Sequence, residues 1–287
     1  MITFVCQTIS YILTMNELQT IKTWIENANA IVINTGAGMG VDSGLADYRG
    51  NGGQWGQVEN DTQKSIFEVV NPQGFLENPK YSWTLFGKRI KEYAETQPHN
   101  GYRILKNWIT NYHLDYFCLT SNIDSHFQKS GFAEENIREL HGTLAYFQSS
   151  RPDLAKGIWK NELSGDEIIA NAQKEIFPMC PISKVLARPN VYMFRDETYI
   201  DTRSKEQEKR FQLFLERNKE KNILVFEIGS GPHVQTIRIK TRMLRSEYKA
   251  NIVRINPKDY TLKPPHIGIP KGALEALTEI NNYLSNE

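Results

Sequence analysis

The chain has 287 residues, and 34 Lys and Arg nearly balance 33 Asp and Glu for a net charge of +1, so charge alone points to neither nucleic acid nor an acidic membrane surface as a partner. Its 40% hydrophobic and 23% charged content is that of a soluble globular protein, long enough for one large domain or a core with an insert. Cys6, Cys118 and Cys180 are far apart and odd in number, which argues against a disulfide framework, excludes a four-cysteine zinc site within the chain and favours a reducing, cytoplasmic setting. No apolar run reaches the roughly 18 residues of a membrane span.

Residues 1–14 are apolar but lack the basic start and cleavage site of a signal peptide, so 1–15 is expected to be a disordered leader. Asn16 is placed to cap a helix over 16–29, with Leu18, Ile21, Trp24 and Ile25 at helical spacing. Ala30 to Asn34 reads as a buried parallel strand. Glycines from Gly36 to Gly56 mark a loop that contacts a ligand. Residues 61–97, interrupted by Asn-Pro at 71–72 and 78–79, read as short helices in an insert. A helix is expected over Asn100–Thr110 and a second strand over Leu114–Thr120. That strand ends in Ser121-Asn-Ile-Asp124, at the carboxyl edge where open α/β sheets bind ligands. Residues 149–178 read as a Lys-rich surface insert, and Arg188–Phe194 as a third strand. A charged helix over Ser204–Lys219, strands over Ile223–Ile228 and Asn251–Asn256, and a closing helix over 271–284 complete the chain. The alternation predicts an α/β fold, a doubly wound Rossmann-like parallel sheet with a smaller inserted domain.

Four clusters carry chemistry, each beside a plainer alternative. Thr35-Gly-Ala-Gly-Met-Gly40 follows a strand and lets the backbone approach a pyrophosphate. The third position of a dehydrogenase fingerprint falls on Val41, however, and a tight turn without ligand is the alternative. In Asp47-Tyr48-Arg49, Arg49 can clamp a phosphate and Tyr48 can cover a reactive sugar, or the trio is a loop ion pair with a packed ring. Asn122 and Asp124 share one face of an extended chain and can bind ribose hydroxyls or a carboxamide, or form an Asx turn. His141, in Glu-Leu-His-Gly, is suited to general-base work or is a structural histidine.

The order of these clusters is more specific than any one of them. TGAGMGVDSGLADYRG, TSNID, ELHG, CP with RPNVYMF, GSG after a strand, and RIN resemble the sirtuin pattern GAGxSxxSGIPDFRG, TQNID, ELHG, CPxCG, RPxVVxFGE, GTS and IN over about residues 16–285. The resemblance implies one catalytic domain over 16–287, its Rossmann-like core at about 16–44, 100–143 and 187–287 and its inserts at about 45–99 and 144–186. It implies NAD as a consumed co-substrate. Gly36, Ala37 and Gly38 would hold its phosphates; Asp47, Tyr48 and Arg49 would cover the nicotinamide ribose; Ser121, Asn122 and Asp124 would line the nicotinamide and ribose pocket; Gly229, Ser230 and Asn256 would contact the adenosine half. His141 would be the catalytic base, with Asn122 and Asp124 beside it, and Val191 and Phe194 would border an acyl-lysine tunnel.

Several positions depart from the pattern. Gly40, Ala46, Tyr48 and Ser121 replace Ser, Pro, Phe and Gln. Ser149 and Ser183 stand where zinc thiols are expected and only Cys180 remains, so no zinc is predicted and the insert would rely on Phe147, Trp159, Ile176 and Phe177. Arg195 replaces the glycine that lets a peptide add as a strand, so it would block, re-aim or pair with a substrate. Three readings remain at this point: a protein-lysine deacylase, an NAD glycohydrolase or ADP-ribosyltransferase, and a non-catalytic NAD or ADP-ribose sensor. Acyl-lysine protein or peptide is the implied partner, with neither nucleic acid nor membrane.

Overall fold

The computed structural model describes residues 13–46, 56, 58–60, 65–155 and 157–285. Residues 1–12, most of the expected leader, and the Asp47-Tyr48-Arg49 trio lie outside these.

Helix α1 (Met15–Asn27) is closed by Thr14, not by Asn16. The Thr14 hydroxyl accepts from Glu17 N at 3.2 Å, and the Glu17 carboxylate accepts from Thr14 N at 2.9 Å. Thr-x-x-Glu is a capping box, which satisfies two end donors at once and so fixes the start of the helix. Leu13, the first described residue, is 3% exposed and packs in the main core.

The main sheet has six strands in the order β3-β2-β1-β7-β8-β9. They are β1 (Ala30–Thr35), β2 (Asp115–Thr120), β3 (Ile137–Glu139), β7 (Ile223–Ile228), β8 (Asn251–Ile255) and β9 (Ile267–Ile269), all parallel. β1 lies in the middle, and side chains on both its faces are buried, which is why it reads as an unbroken apolar run. Ile31 and Ile33 pack on one face with α1, α6 (Asn100–Asn111) and α11 (Ala273–Ser285). Ala30 and Val32 pack on the other with α9 (Thr202–Arg217) and α10 (Thr236–Tyr248). Strand order runs outward in both directions from β1 and β7, which creates a crevice at their carboxyl ends. The short turns α2 (Gly38–Val41) and α7 (His126–Lys129) follow β1 and β2 there.

A second sheet, antiparallel in the order β5-β4-β6, joins β4 (Gly142–Ser149), β5 (Ile158–Lys160) and β6 (Ala187–Val191). The third expected strand therefore belongs to this sheet and not to the parallel one. A register shift between Gly142 and Phe147 disrupts its ladder, which accommodates Pro189. Helices α3 (Ile66–Val69), α4 (Pro72–Glu77), α5 (Pro79–Glu95) and α8 (Gly165–Gln173) pack around it. The two Asn-Pro pairs start helices: Asn71 and Asn78 accept from Gly74 N at 2.9 Å and Tyr81 N at 3.1 Å, with Pro in the first turn. The second of these helices runs 17 residues, longer than expected, because Trp83, Phe86 and Ile90 give it a continuous buried stripe. Trp83 and Phe147 meet edge to face at 5.0 Å, and Trp159 and Phe177 pack against the same cluster. Ile176, expected in this core, is instead 57% exposed.

Candidate dinucleotide and acyl-group site

At the end of β1 the glycine turn passes against the loop after β7. Gly36 N donates to Ile228 O at 2.9 Å, and Gly38 N to Gly229 O at 3.0 Å. A Cβ on Gly36 would lie 2.7 Å from Gly229 O, and one on Gly38 2.7 Å from Gly229 Cα. Gly229 itself has φ +66°, the left-handed region that favours glycine. These glycines thus let two backbones touch, and in doing so shape one wall of a cavity of about 670 Å³. Gly36, Ala37, Gly38, Ser121, Gly229, Ser230 and Asn256 are among the residues that line it. Val191 and Phe194 line the cavity on the side of the small sheet, and His141 also reaches it.

Asn122 and Asp124 face a second, much smaller cavity of about 10 Å³ that shares Ala37 and Ile123 with the first and has room for about one water. Asn122 Nδ2 donates to Gly36 O at 3.1 Å, while its buried Oδ1 has no partner among the described residues. That acceptor is what a bound N–H would satisfy. Asp124 Oδ1 accepts from His126 N at 2.9 Å, so the Asx-turn alternative and a ligand-facing carboxylate coexist. Burial pushes the Asp124 carboxyl up to about 6, against the hydrogen bond from His126 N.

Two residues before His141, the chain is anchored in the interior. Glu139 is buried, ion-paired with Arg203 and hydrogen-bonded by Gln128 at 3.0 Å and Gln207 at 3.3 Å. The ring Nε2 of His141 lies 3.4 Å from Thr236 Oγ1. Burial holds the imidazole below its ordinary 6.5, partly opposed by its hydrogen bond to the Ser121 backbone. The ring is therefore neutral near pH 7 and able to accept a proton. Tyr192 N donates to His141 O at 2.9 Å, which ties this residue to the end of β6.

Ser230 and Asn256 are used by the scaffold itself. Ser230 Oγ donates to Glu227 at 2.5 Å, and Asn256 Nδ2 to Ser230 O at 2.9 Å. Glu227 is fully buried and held by Arg254 at 2.6 Å, while Arg238 bonds Ser230 O at 2.9 Å and Asp259 O at 2.8 Å. Sequence reading missed this trio. A Glu in one buried strand and an Arg in the next, each in an otherwise apolar run, was the available signal, since such charges need each other.

Phe194 packs on Phe67 with ring centroids 4.4 Å apart. Arg195 does not line the cavity; it sits at φ +53°, a conformation suited to glycine. Asp196 locks that turn. It pairs with Arg188 at 2.8 Å, both side chains fully buried, and accepts from Met193 N at 3.2 Å and Thr198 N at 3.1 Å.

The residues at the expected thiol positions do not fit zinc. Cys180 is a buried thiol; burial raises it, and polar contacts from Ser183 and Ser149 outweigh this and hold it below its ordinary value. The Ser149 hydroxyl is already bonded to Arg151 O and N at 3.0 and 3.1 Å. Among the described residues no group of three or more His, Cys, Asp or Glu could hold a metal.

A parallel sheet with a glycine turn at its switch point, and a half-buried neutral histidine lining the same cavity, defines a doubly wound α/β protein with its crevice at the carboxyl ends of the strands. The chain belongs to the Sir2 family, whose model matches residues 36–231. It is similar to an NAD-dependent protein deacylase of Aquifex aeolicus, 24% identical over 265 residues that cover 91% of this chain and 97% of that protein. It is also similar to an NAD-dependent protein deacetylase of Oceanobacillus iheyensis, 36% identical over 125 residues, or 43% of this chain and 49% of that one. Among solved structures, it shares its fold with a Sir2 homologue–NAD complex at TM-score 0.73 and 21% identity, covering 93% of this chain and 94% of that chain. A Sir2 homologue–ADP-ribose complex matches at TM-score 0.74 and 21% identity, covering 93% and 96%.

Proposed function

We propose that the protein is an NAD-dependent protein-lysine deacylase that moves an acyl group from lysine to ADP-ribose and releases nicotinamide. The observation that carries this reading is one cavity in which the glycine turn, His141 and the Val191–Phe194 edge meet. NAD supplies the ADP-ribosyl group when its nicotinamide leaves. Gly36, Ala37 and Gly38 offer close backbone to its phosphates, and the loop of Gly229 and Ser230 with Asn256 shapes the adenosine end. Asn122 Oδ1 and the Asp124 carboxyl sit in the narrow cavity, suited to a carboxamide N–H. Ser121 lines the larger cavity, and Asp47, Tyr48 and Arg49 are assigned to the loop over the ribose. Neutral His141 takes the proton of a ribose hydroxyl, whose oxygen bonds the acyl carbon; the bond from that carbon to the lysine nitrogen breaks, the lysine amine leaves with a proton, and one water makes up the oxygen balance after nicotinamide has left the ribose. Val191 and Phe194 bind the aliphatic part of the acyl-lysine, and Arg195, beside the cavity rather than in it, meets the peptide flanking it.

The test is incubation with NAD, with and without an acetyl-lysine peptide, and identification of products. Acyl-ADP-ribose formed only with peptide is expected. Free ADP-ribose without peptide would establish the second reading, NAD hydrolysis, which Arg195 in place of the peptide-binding glycine favours. His141→Ala is expected to abolish product while NAD still binds by calorimetry; surviving turnover would remove His141 as the base.

A further inference from the structure

The assignment of His141 as base leaves its own hydroxyl neighbour unexplained. Thr236 is the first residue of α10; Gln235 occupies the cap position. The Thr236 hydroxyl lies 3.4 Å from His141 Nε2. The same imidazole hydrogen-bonds the Ser121 backbone. A neutral imidazole has one N–H and one lone pair, so a ring that donates to a carbonyl on one side presents an acceptor on the other.

We propose that Thr236 is a positioning residue for His141: its hydroxyl donates to Nε2 in the free protein, holds the ring in place beside the start of α10, and yields the nitrogen to an incoming cofactor hydroxyl. The proposal rests on the deacylase reading for what enters, but not for the contact itself. Three features support it. At 3.4 Å the contact is at the long end for a hydrogen bond, as suits a donor that gives way to an incoming hydroxyl. The amino end of a 13-residue helix carries partial positive charge, so it disfavours imidazolium at this spot and works in the same direction as the hydroxyl. And Arg238, two residues on, bonds Ser230 O and Asp259 O, so one helical turn touches both the base and the nucleotide loop. The other ionisable groups lining the cavity are Asp42, Arg89, Tyr93, Tyr192, His233, Lys258, Asp259 and Lys271. Burial and the Ser121 backbone, rather than any of these, set the titration of His141.

The test uses Thr236→Val and Thr236→Ser in the full chain, with two readouts. The first is NMR titration of His141 without NAD. Loss of the hydroxyl donor should raise the midpoint by about 0.5 to 1 on the pH scale in the Val variant, and Ser should restore it. The second is nicotinamide release in the presence of acyl peptide. The Val variant should lose about five- to tenfold in kcat, with KM for NAD within about twofold and the acid limb moved up with the NMR midpoint; Ser should recover most of the rate. A purely structural role would move neither midpoint nor limb. A Val variant that titrates and turns over like the wild type, or a Ser variant that behaves like Val, overturns the proposal. If Val does not fold, Thr236→Ala takes its place with the same expectations. If the wild type releases no nicotinamide, the deacylase reading fails, and the NMR titration still decides the Thr236 contact.

Discussion

Asp124 titrates at about 6 because burial disfavours its charged form, whereas the unfolded chain releases that proton near 3.8. A raised carboxyl stabilises the fold fully below the unfolded value and loses that contribution as pH climbs from about 4 through about 6. At pH 8 the folded protein therefore holds a disfavoured carboxylate that Asn would not carry. Asp124→Asn is expected to gain roughly 1–3 kcal/mol in urea unfolding at pH 8 but not at pH 4, while nicotinamide release falls. Equal stability at pH 8 would show that the carboxylate is compensated. His141 runs the other way: its lowered value means that stability is lost as pH falls below the ordinary 6.5, and the neutral ring that the proposed role as base needs already predominates at that pH. The placement of these residues at a strand's carboxyl edge was legible from Thr-Ser-Asn-Ile-Asp. Their division between two cavities was not: His141 and Ser121 line the larger and Asn122 and Asp124 the smaller, and spacing alone does not say which side chain turns to which.

The turn after β6 shows how an element can absorb a residue that its sequence pattern disfavours. Arg195 occupies left-handed backbone held by the buried Arg188–Asp196 pair. Arg195→Gly is expected to be neutral or stabilising by about 0.5–1 kcal/mol, measured as urea midpoint, since Gly reaches that conformation without strain. Arg188→Ala should instead cost about 3–5 kcal/mol, by leaving Asp196 charged and unpaired in the interior. If both variants had the same stability, the pair would not be what holds the turn. β6 was legible as a strand but not as part of the second sheet: a fully buried run looks alike in either. The capping box at Thr14 was readable as Thr-x-x-Glu, and was passed over because Asn16 also suits a cap.

At the scale of the molecule, the parallel sheet was legible because each central strand is an apolar run that stops at small polar residues. The small sheet was not, since β4 combines a register shift with half-buried positions and shows no clean alternation. Its aromatic cluster of Trp83, Phe75, Phe86 and Phe147 offers cohesion independent of thiols. Elemental analysis is expected to find well under one zinc per chain, and a chelator to leave the melting temperature unchanged; one zinc per chain, or a drop on chelation, would refute this. The contact between the glycine turn after β1 and Gly229 has an evolutionary corollary. Gly36→Ala would drive its Cβ against Gly229 O, and Gly229→Ala would drive its own within 2.3 Å of Met39 N. Either change alone must wedge the two loops apart, and once they are parted the second change meets less resistance. The double variant is expected to lose clearly less than the sum of the singles in unfolding free energy, whereas strict additivity would mean that the loops yield independently. The two positions then form one epistatic unit: a lineage that loses one glycine is released from keeping the other, and a drifting descendant would shed them together.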